Sequence, residues 1–383
     1  MQKNIYLDYA ATTPIDPRIK PKICSLLTKN FGNSASIHSC GQKAKLDLKK
    51  ARKEIAGFLN CQEKEIIFTG SATESNNMAL KGIAYANLDK GNHIIISNIE
   101  HPCIMNTKKW LETQGFSVSF LEVDSQGFVN PKDLENLIQA NTILVSVMHV
   151  NNETGAIQPI EEIGKICKKY KIYFHTDATQ SFGKININLK KTNIDLLTAS
   201  SHKIYGPKGA GLLYVKKGVK IEPLLHGGEQ EFGLRSGTIN TFAIVGFSES
   251  VKILKKEMKI DFEKAKKIRQ KISEKLKKIP NTTIISPENS IPNILNVSFN
   301  NIEGESVLML LDQEGICVST GSACSSKDLT QSHVLRAMKI NPQVAQGSIR
   351  VSWGRFTSEK DINQFLDVLP KIVKKLRSYS PLK

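Results

Sequence analysis

The chain has 383 residues, 40% of them hydrophobic, with a formal net charge of +17. That length exceeds one ordinary domain and implies a larger and a smaller one around sizeable cores. No apolar run approaches the roughly 18 residues of a membrane span, and the seven scattered cysteines form no Cys-x-x-Cys pair, which argues against a disulfide framework or a structural zinc site.

The opening, Met1 to Asp8, has no apolar signal-peptide core, so a cytoplasmic location is expected. From about residue 40 to 215, helical and strand patterns alternate. Helices are predicted at 41–60, with Leu48, Ala51, Ile55 and Leu59 on one side, and at 73–86, 103–114, 131–140 and 160–170. Strands are predicted at 65–69, 93–97, 117–123, 142–148, 172–175, 196–199 and 211–215. Such alternation implies a largely parallel, doubly wound sheet with its sites at the strand carboxyl ends.

Over 251–280, Leu254, Met258, Phe262, Ala265, Ile268, Ile272, Leu276 and Ile279 recur at spacings of three and four. The pattern predicts a long amphipathic helix with lysines on its wet face. No aromatics interleave with those lysines, so nucleic acid is not expected as a partner; acidic partners or secondary RNA association stay open. Beyond it, short pieces at 294–299, 307–311, 317–319 and 348–353 suggest a smaller α+β domain. The boundary falls near 250.

Several strand ends carry residues suited to chemistry. Gly70-Ser71-Ala72-Thr73 follows a strand and opens a helix, where free N–H groups hold an anion or merely cap the helix. His101 and Asn152 follow strands in loops, where each reads equally well as a loop residue. Asp177 ends a strand too apolar to carry a casual acid; a carboxylate there would keep a pyridine nitrogen protonated, or cap the next turn. Lys203, in Ser200-Ser201-His202-Lys203, stands at the end of a buried strand, where desolvation favours an amine nucleophile of the kind that pyridoxal phosphate enzymes use to hold their cofactor. Seen alone it would be a surface-turn lysine; its neighbours argue otherwise. Cys324, in the small polar stretch Gly321-Ser322-Ala323-Cys324, is expected to be more accessible than the other six cysteines. Arg350, inside the apolar strand Ile349-Arg350-Val351, needs a carboxylate or phosphate partner.

Together these segments, with Tyr6 to Pro14, Glu100-His101-Pro102, Asp177-Ala178-Thr179-Gln180 and Arg235-Ser236-Gly237-Thr238, resemble the NifS/IscS-type cysteine desulfurases of the class V aminotransferase group, over nearly the whole chain. The resemblance implies the fold type I of pyridoxal-phosphate-dependent transferases. It is an α/β fold with a mostly parallel seven-stranded sheet between helices in a large domain, 15–250, and a smaller α+β domain, 251–383, with which residues 1–14 pack. It implies Lys203 as the Schiff-base lysine and acid/base. Asp177 would sit at the pyridine nitrogen and Gln180 at the phenolic oxygen, with His101 stacked on the ring. Ala72, Thr73, Ser200 and His202 would hold the phosphate, with Thr238 supplied by a second subunit of a homodimer. Asn152 and Arg350 would grip the carboxylate of L-cysteine; Arg355, nearer the following loop, is the poorer choice.

The implied reaction turns L-cysteine into L-alanine and leaves a persulfide on Cys324. No metal is implied, and a sulfur-acceptor protein, an iron–sulfur scaffold or a thiolation enzyme, is expected as partner. The stretch 321–333 is similar in length to that of the branch whose cysteine rides on a long loop, which implies direct transfer to a bound acceptor. The pattern departs at Cys103, where relatives often carry a small apolar residue, and at the end, Tyr379 to Lys383, without the acidic, aromatic docking tail of many relatives. Alternatives on the same fold are a selenocysteine lyase, an aminotransferase or a kynureninase-like hydrolase. An aminotransferase has no need of Cys324.

Overall fold

The computed structural model describes residues 4–320 and 331–380. In chain order its first half holds β1 (Ile5–Tyr6), α1 (Lys20–Thr28), α2 (Ser39–Leu59), β2 (Ile66–Thr69), α3 (Ala72–Ala86), β3 (His93–Ser97), α4 (Pro102–Thr113), β4 (Ser117–Leu121), α5 (Pro131–Leu137), β5 (Thr142–Ser146), α6 (Ile160–Tyr170) and β6 (Tyr173–Asp177). There follow α7 (Leu189–Thr192), β7 (Leu196–Ser200), β8 (Gly211–Val215), α8 (Thr241–Leu276), β9 (Thr282–Ile284), β10 (Ile294–Phe299), α9 (Gly304–Gln313), β11 (Ile316–Cys317), α10 (His333–Ala337), α11 (Pro342–Gln346), β12 (Ser348–Ser352) and α12 (Glu359–Tyr379).

Seven strands form the main sheet in the order β2-β8-β7-β6-β5-β3-β4. All its pairs are parallel except those of β8, which runs against both β2 and β7. The mostly parallel seven-stranded α/β sheet expected from the sequence is therefore present. Strands β2, β3, β5, β7 and β8 are buried along their whole length and β6 in all but its first residue, as a sheet covered on both faces requires. That is why they read as continuous apolar runs such as Ile94-Ile95-Ile96 rather than as alternations.

A second group of buried apolar residues surrounds the antiparallel sheet β12-β10-β9. Ile5 and Leu7 belong to it, and β1 pairs in parallel with β11. Helix α8 serves both groups: Leu254 packs in the first, Ala265 and Ile272 in the second. It begins at Thr241, ten residues before the lysine-rich pattern, because Ala243 to Ser248 are buried together and show no wet face. The strand read at 172–175 runs on to Asp177, and the one read at 142–148 stops at Ser146. No helix among the described residues is long and apolar enough to cross a membrane.

Candidate active site

Strands β2, β3, β5, β6 and β7 run the same way, so the segments that follow them meet at one edge of the sheet. There a cavity of about 380 Å³ is lined by Ala72, Thr73, His101, Asn152, Asp177, Gln180, His202, Lys203 and Arg350, with Asp8, Cys103 and Ser319. That volume suits a small organic cofactor with a substrate beside it.

Lys203 closes a one-turn 3-10 helix, Ser201–Lys203, that leaves β7. Its Nζ donates to the carbonyls of Ala10 at 2.6 Å and Ala11 at 2.7 Å. The N-terminal segment is tied to this turn again next door: Thr13 N–H and Oγ1 both donate to the His202 carbonyl at 2.9 Å, and Tyr205 N–H donates to Thr13 Oγ1. Asp177 ends β6; its Oδ2 accepts from Asn76 Nδ2 at 2.7 Å and its Oδ1 from Thr179 N–H at 2.9 Å. Gln180, one turn on, donates from Nε2 to the Ala10 carbonyl at 2.8 Å.

His101 caps α4, its Nδ1 accepting from Cys103 N–H at 3.3 Å. An accepting Nδ1 puts the ring proton of the neutral form on Nε2. Burial lowers the pKa of His101, helped by Lys203 and His333 against the pull of Asp177. Burial, then Lys203, likewise brings His202 down to about 4. Both imidazoles are therefore neutral near pH 7, able to lie against a flat ring or donate one proton.

On the opposite side Arg350 Nη2 donates to Asp8 Oδ1 at 2.8 Å and Nη1 to the Asn152 carbonyl at 3.0 Å. Its Nε is buried without a hydrogen-bond partner, as is Thr179 Oγ1. A donor left over in this way at the cavity wall is a place for an incoming oxygen. Arg355 is engaged elsewhere, by Asp16 at 2.9 Å and Asp261 at 2.7 Å.

Two candidates from the sequence do not reach the cavity. Ser200 is buried with its hydroxyl 3.5 Å from the Ala210 carbonyl, and Thr238 is exposed in the segment before α8. Cys324 lies outside the described residues. Sequence reasoning missed Asp8, Ala10 and Ala11, which line the cavity. The Tyr6 to Pro14 motif was the available signal for all three.

The residues present fit pyridoxal phosphate. An amine and a carboxylate line one cavity, and the N-terminus of α3, through Ser71, Ala72 and Thr73, offers N–H groups to an anion there. The chain belongs to the class-V aminotransferase family, whose model matches residues 5–365. Among its relatives is a protein named cysteine desulfurase IscS from Methanosarcina thermophila. That relative is 48% identical over 99% of this chain and 94% of its own length. Another of that name, from Dictyoglomus turgidum, is 46% identical over 100% of this chain and 98% of its own. A solved structure titled NifS-like protein superposes with a TM-score of 0.92 at 40% identity, covering 97% of this chain and 100% of that one. Within the family the activity of this chain is that of a cysteine desulfurase: it removes sulfur from L-cysteine with pyridoxal phosphate as cofactor.

Proposed function

We propose that desulfuration takes place in this cavity with Lys203 as cofactor-binding lysine and proton carrier, and with Cys324 as the first sulfur acceptor. The observation that carries this reading is that Lys203, Asp177 and Arg350 line one cavity although Asp177 ends β6, Lys203 follows β7 and Arg350 lies in β12. Asp177 would pair with the cofactor's pyridine nitrogen, held in aim by Asn76 and the Thr179 N–H. Gln180 would face its phenolic oxygen and His101 its ring. Ala72, Thr73 and His202 would hold its phosphate with Thr238 of the partner subunit, which makes the working unit a homodimer; Ser200, turned to the Ala210 carbonyl, would not. Bound there, the cofactor supplies a sink for the electron pair released at the substrate Cα.

Arg350 and Asn152 orient the substrate by its carboxylate, which places the Cα proton within reach of Lys203 Nζ. Lys203 takes that proton and later returns one. The Cys324 thiolate attacks the substrate sulfur: an S–S bond forms, the Cβ–S bond breaks, and its electron pair stays on carbon, which is protonated to give L-alanine. The outer sulfur of the persulfide then passes to a nucleophile of an acceptor protein, an iron–sulfur scaffold or a thiolation enzyme, in the cytoplasm; the S–S bond breaks and Cys324 leaves as the thiolate. We place the division between the cofactor-binding part, 15–250, and the Cys324-bearing part, 251–383 with 1–14, inside α8; the buried cluster around β12-β10-β9, drawn from Ile5, Leu7 and residues 265–373, supports it.

Cys324→Ala tests the reading. The variant should keep the cofactor's absorbance, while alanine and sulfide formed from L-cysteine with a reductant fall by about 100-fold or more. Undiminished turnover would remove Cys324 from the mechanism.

A further inference from the structure

Lys184 stands one turn beyond Gln180, behind the wall that carries Lys203. Segment 178–184 is wound into turns by bonds from Ser181 N–H to the Ala178 carbonyl and from Lys184 N–H to the Ser181 carbonyl. Gly183 within it has φ +72°, and a Cβ there would come 2.4 Å from Leu254 Cδ1. The turn therefore lies against α8 and sends the Lys184 side chain inward. It ends in a small cavity shared with Lys203 and with Leu254, Met258, Phe262 and Trp353. The charged groups around it are Lys203 and Arg350, and Asp261 and Arg355, which pair with each other; the neutral His202 is the further titratable neighbour. An ammonium in such surroundings is costly, and burial, then Lys203 and Arg350, brings Lys184 down to about 7.

The hydrogen bond of Lys184 goes to Gln180 Oε1 at 3.0 Å. An ammonium only donates and a carbonyl only accepts. Gln180 lies between one of each, Lys184 at its oxygen and the Ala10 carbonyl at its nitrogen. With Lys184 protonated, these two neighbours allow one orientation of the carboxamide. The Ala10 carbonyl is also the atom on which Lys203 Nζ rests.

From this geometry we propose that Lys184 is a positioning residue: its hydrogen bond holds the Gln180 carboxamide with the N–H edge turned to the Lys203 side of the cavity, so that an anionic oxygen of the bound cofactor meets a donor. The inference rests on Gln180 facing the cofactor, as proposed above. Without Lys184 only the Ala10 carbonyl holds the amide, so its oxygen turns inward more readily, and a cation near Lys203 is gone. Both changes let the lysine-linked cofactor keep its proton to higher pH.

The test is a pH titration of the absorption band of the holoenzyme without substrate, for the wild type, Lys184→Met, Lys184→Arg, Gln180→Leu and the double variant Lys184→Met with Gln180→Leu. Lys184→Met should raise the midpoint by about 1 pH unit, Lys184→Arg should restore it, and the double variant should shift less than the sum of the two singles. If Lys184→Met does not fold, Lys184→Gln, which can donate and accept alike, carries the same expectation. A midpoint that Gln180→Leu moves and Lys184→Met leaves alone overturns the role of Lys184 and spares that of Gln180. If Gln180→Leu moves nothing, Gln180 does not face the cofactor and both readings fall. Additive shifts, or a lower melting temperature with an unmoved midpoint, also overturn the proposal, since Lys184 would then act by charge or packing alone.

Discussion

Arg350 commits two edges of its guanidinium to the protein itself, to Asp8 and to the Asn152 carbonyl, and keeps Nε buried and unpaired. A carboxylate arriving there finds a planar fork already aimed, which a lysine cannot imitate. Arg350→Lys should therefore raise the KM for L-cysteine about tenfold or more while leaving the cofactor's absorption in place; steady-state kinetics beside a spectrum will check it. Cys103, open in the sequence to a bystander or a second-thiol reading, lies 3.1 Å from His101 Nδ1 and 3.2 Å from Asn76 Nδ2. Burial, with Asp177 nearby, pushes it up to about 12, so it carries no thiolate near neutrality although it lines the cavity. Lys203 and Asp177 were legible as candidates because each stands at or just past the end of an apolar strand; His101, in the loop after its strand, was singled out only by the resemblance. Asp8 was not, since it meets Arg350 across 342 positions of chain and the Tyr6 to Pro14 motif around it does not say which side chain it meets. Lys184 was hidden for a similar reason: among 53 basic residues, only the fold of the turn tells it from a surface lysine.

At the scale of elements, the cavity depends on how closely β8 runs past the start of α3. A Cβ on Gly211 would stand 2.6 Å from both the Ser71 carbonyl carbon and Thr69 Oγ1, too near for either to stay. Gly211→Ala should displace the Ser71–Thr73 turn and weaken cofactor binding about tenfold, read from the recovery of absorbance as the apoenzyme is titrated with pyridoxal phosphate. Strands 93–97 and 211–215 and helix 160–170 could be read to the residue, because an apolar run or a sharp 3.6-residue period ended at a turn. Helix α8 could not be read from its start, since a helix end buried on every side has no amphipathic period. Helix α9, read as a piece that was either strand or helix at 307–311, spans Gly304–Gln313; a short apolar run supports both readings until its neighbours are known.

For the whole molecule, the stretch from Asp8 to Asp16 joins parts distant in sequence. Asp16 is buried and takes hydrogen bonds from Arg18 and from Arg355, which also holds Asp261 of α8. Burial alone would raise the Asp16 carboxyl, but the bonds from Arg18 and Arg355 outweigh it and hold it at about 2. A folded value below the unfolded one stabilises the protein above the unfolded pKa, and that contribution is lost as pH falls from about 4 towards 2. Asp16→Asn should cost about 2 kcal/mol at neutral pH, with the gap to wild type narrowing between about pH 4 and pH 3 in urea unfolding curves. The same stretch lends Lys203 its resting place through the main-chain oxygens of Ala10 and Ala11, atoms that every amino acid carries. The exposed Ala11 can therefore change its side chain without moving either oxygen, whereas one residue inserted or deleted ahead of Thr13 would slide both by about 3.5 Å. What this corner of the protein holds fixed is spacing, and not spelling.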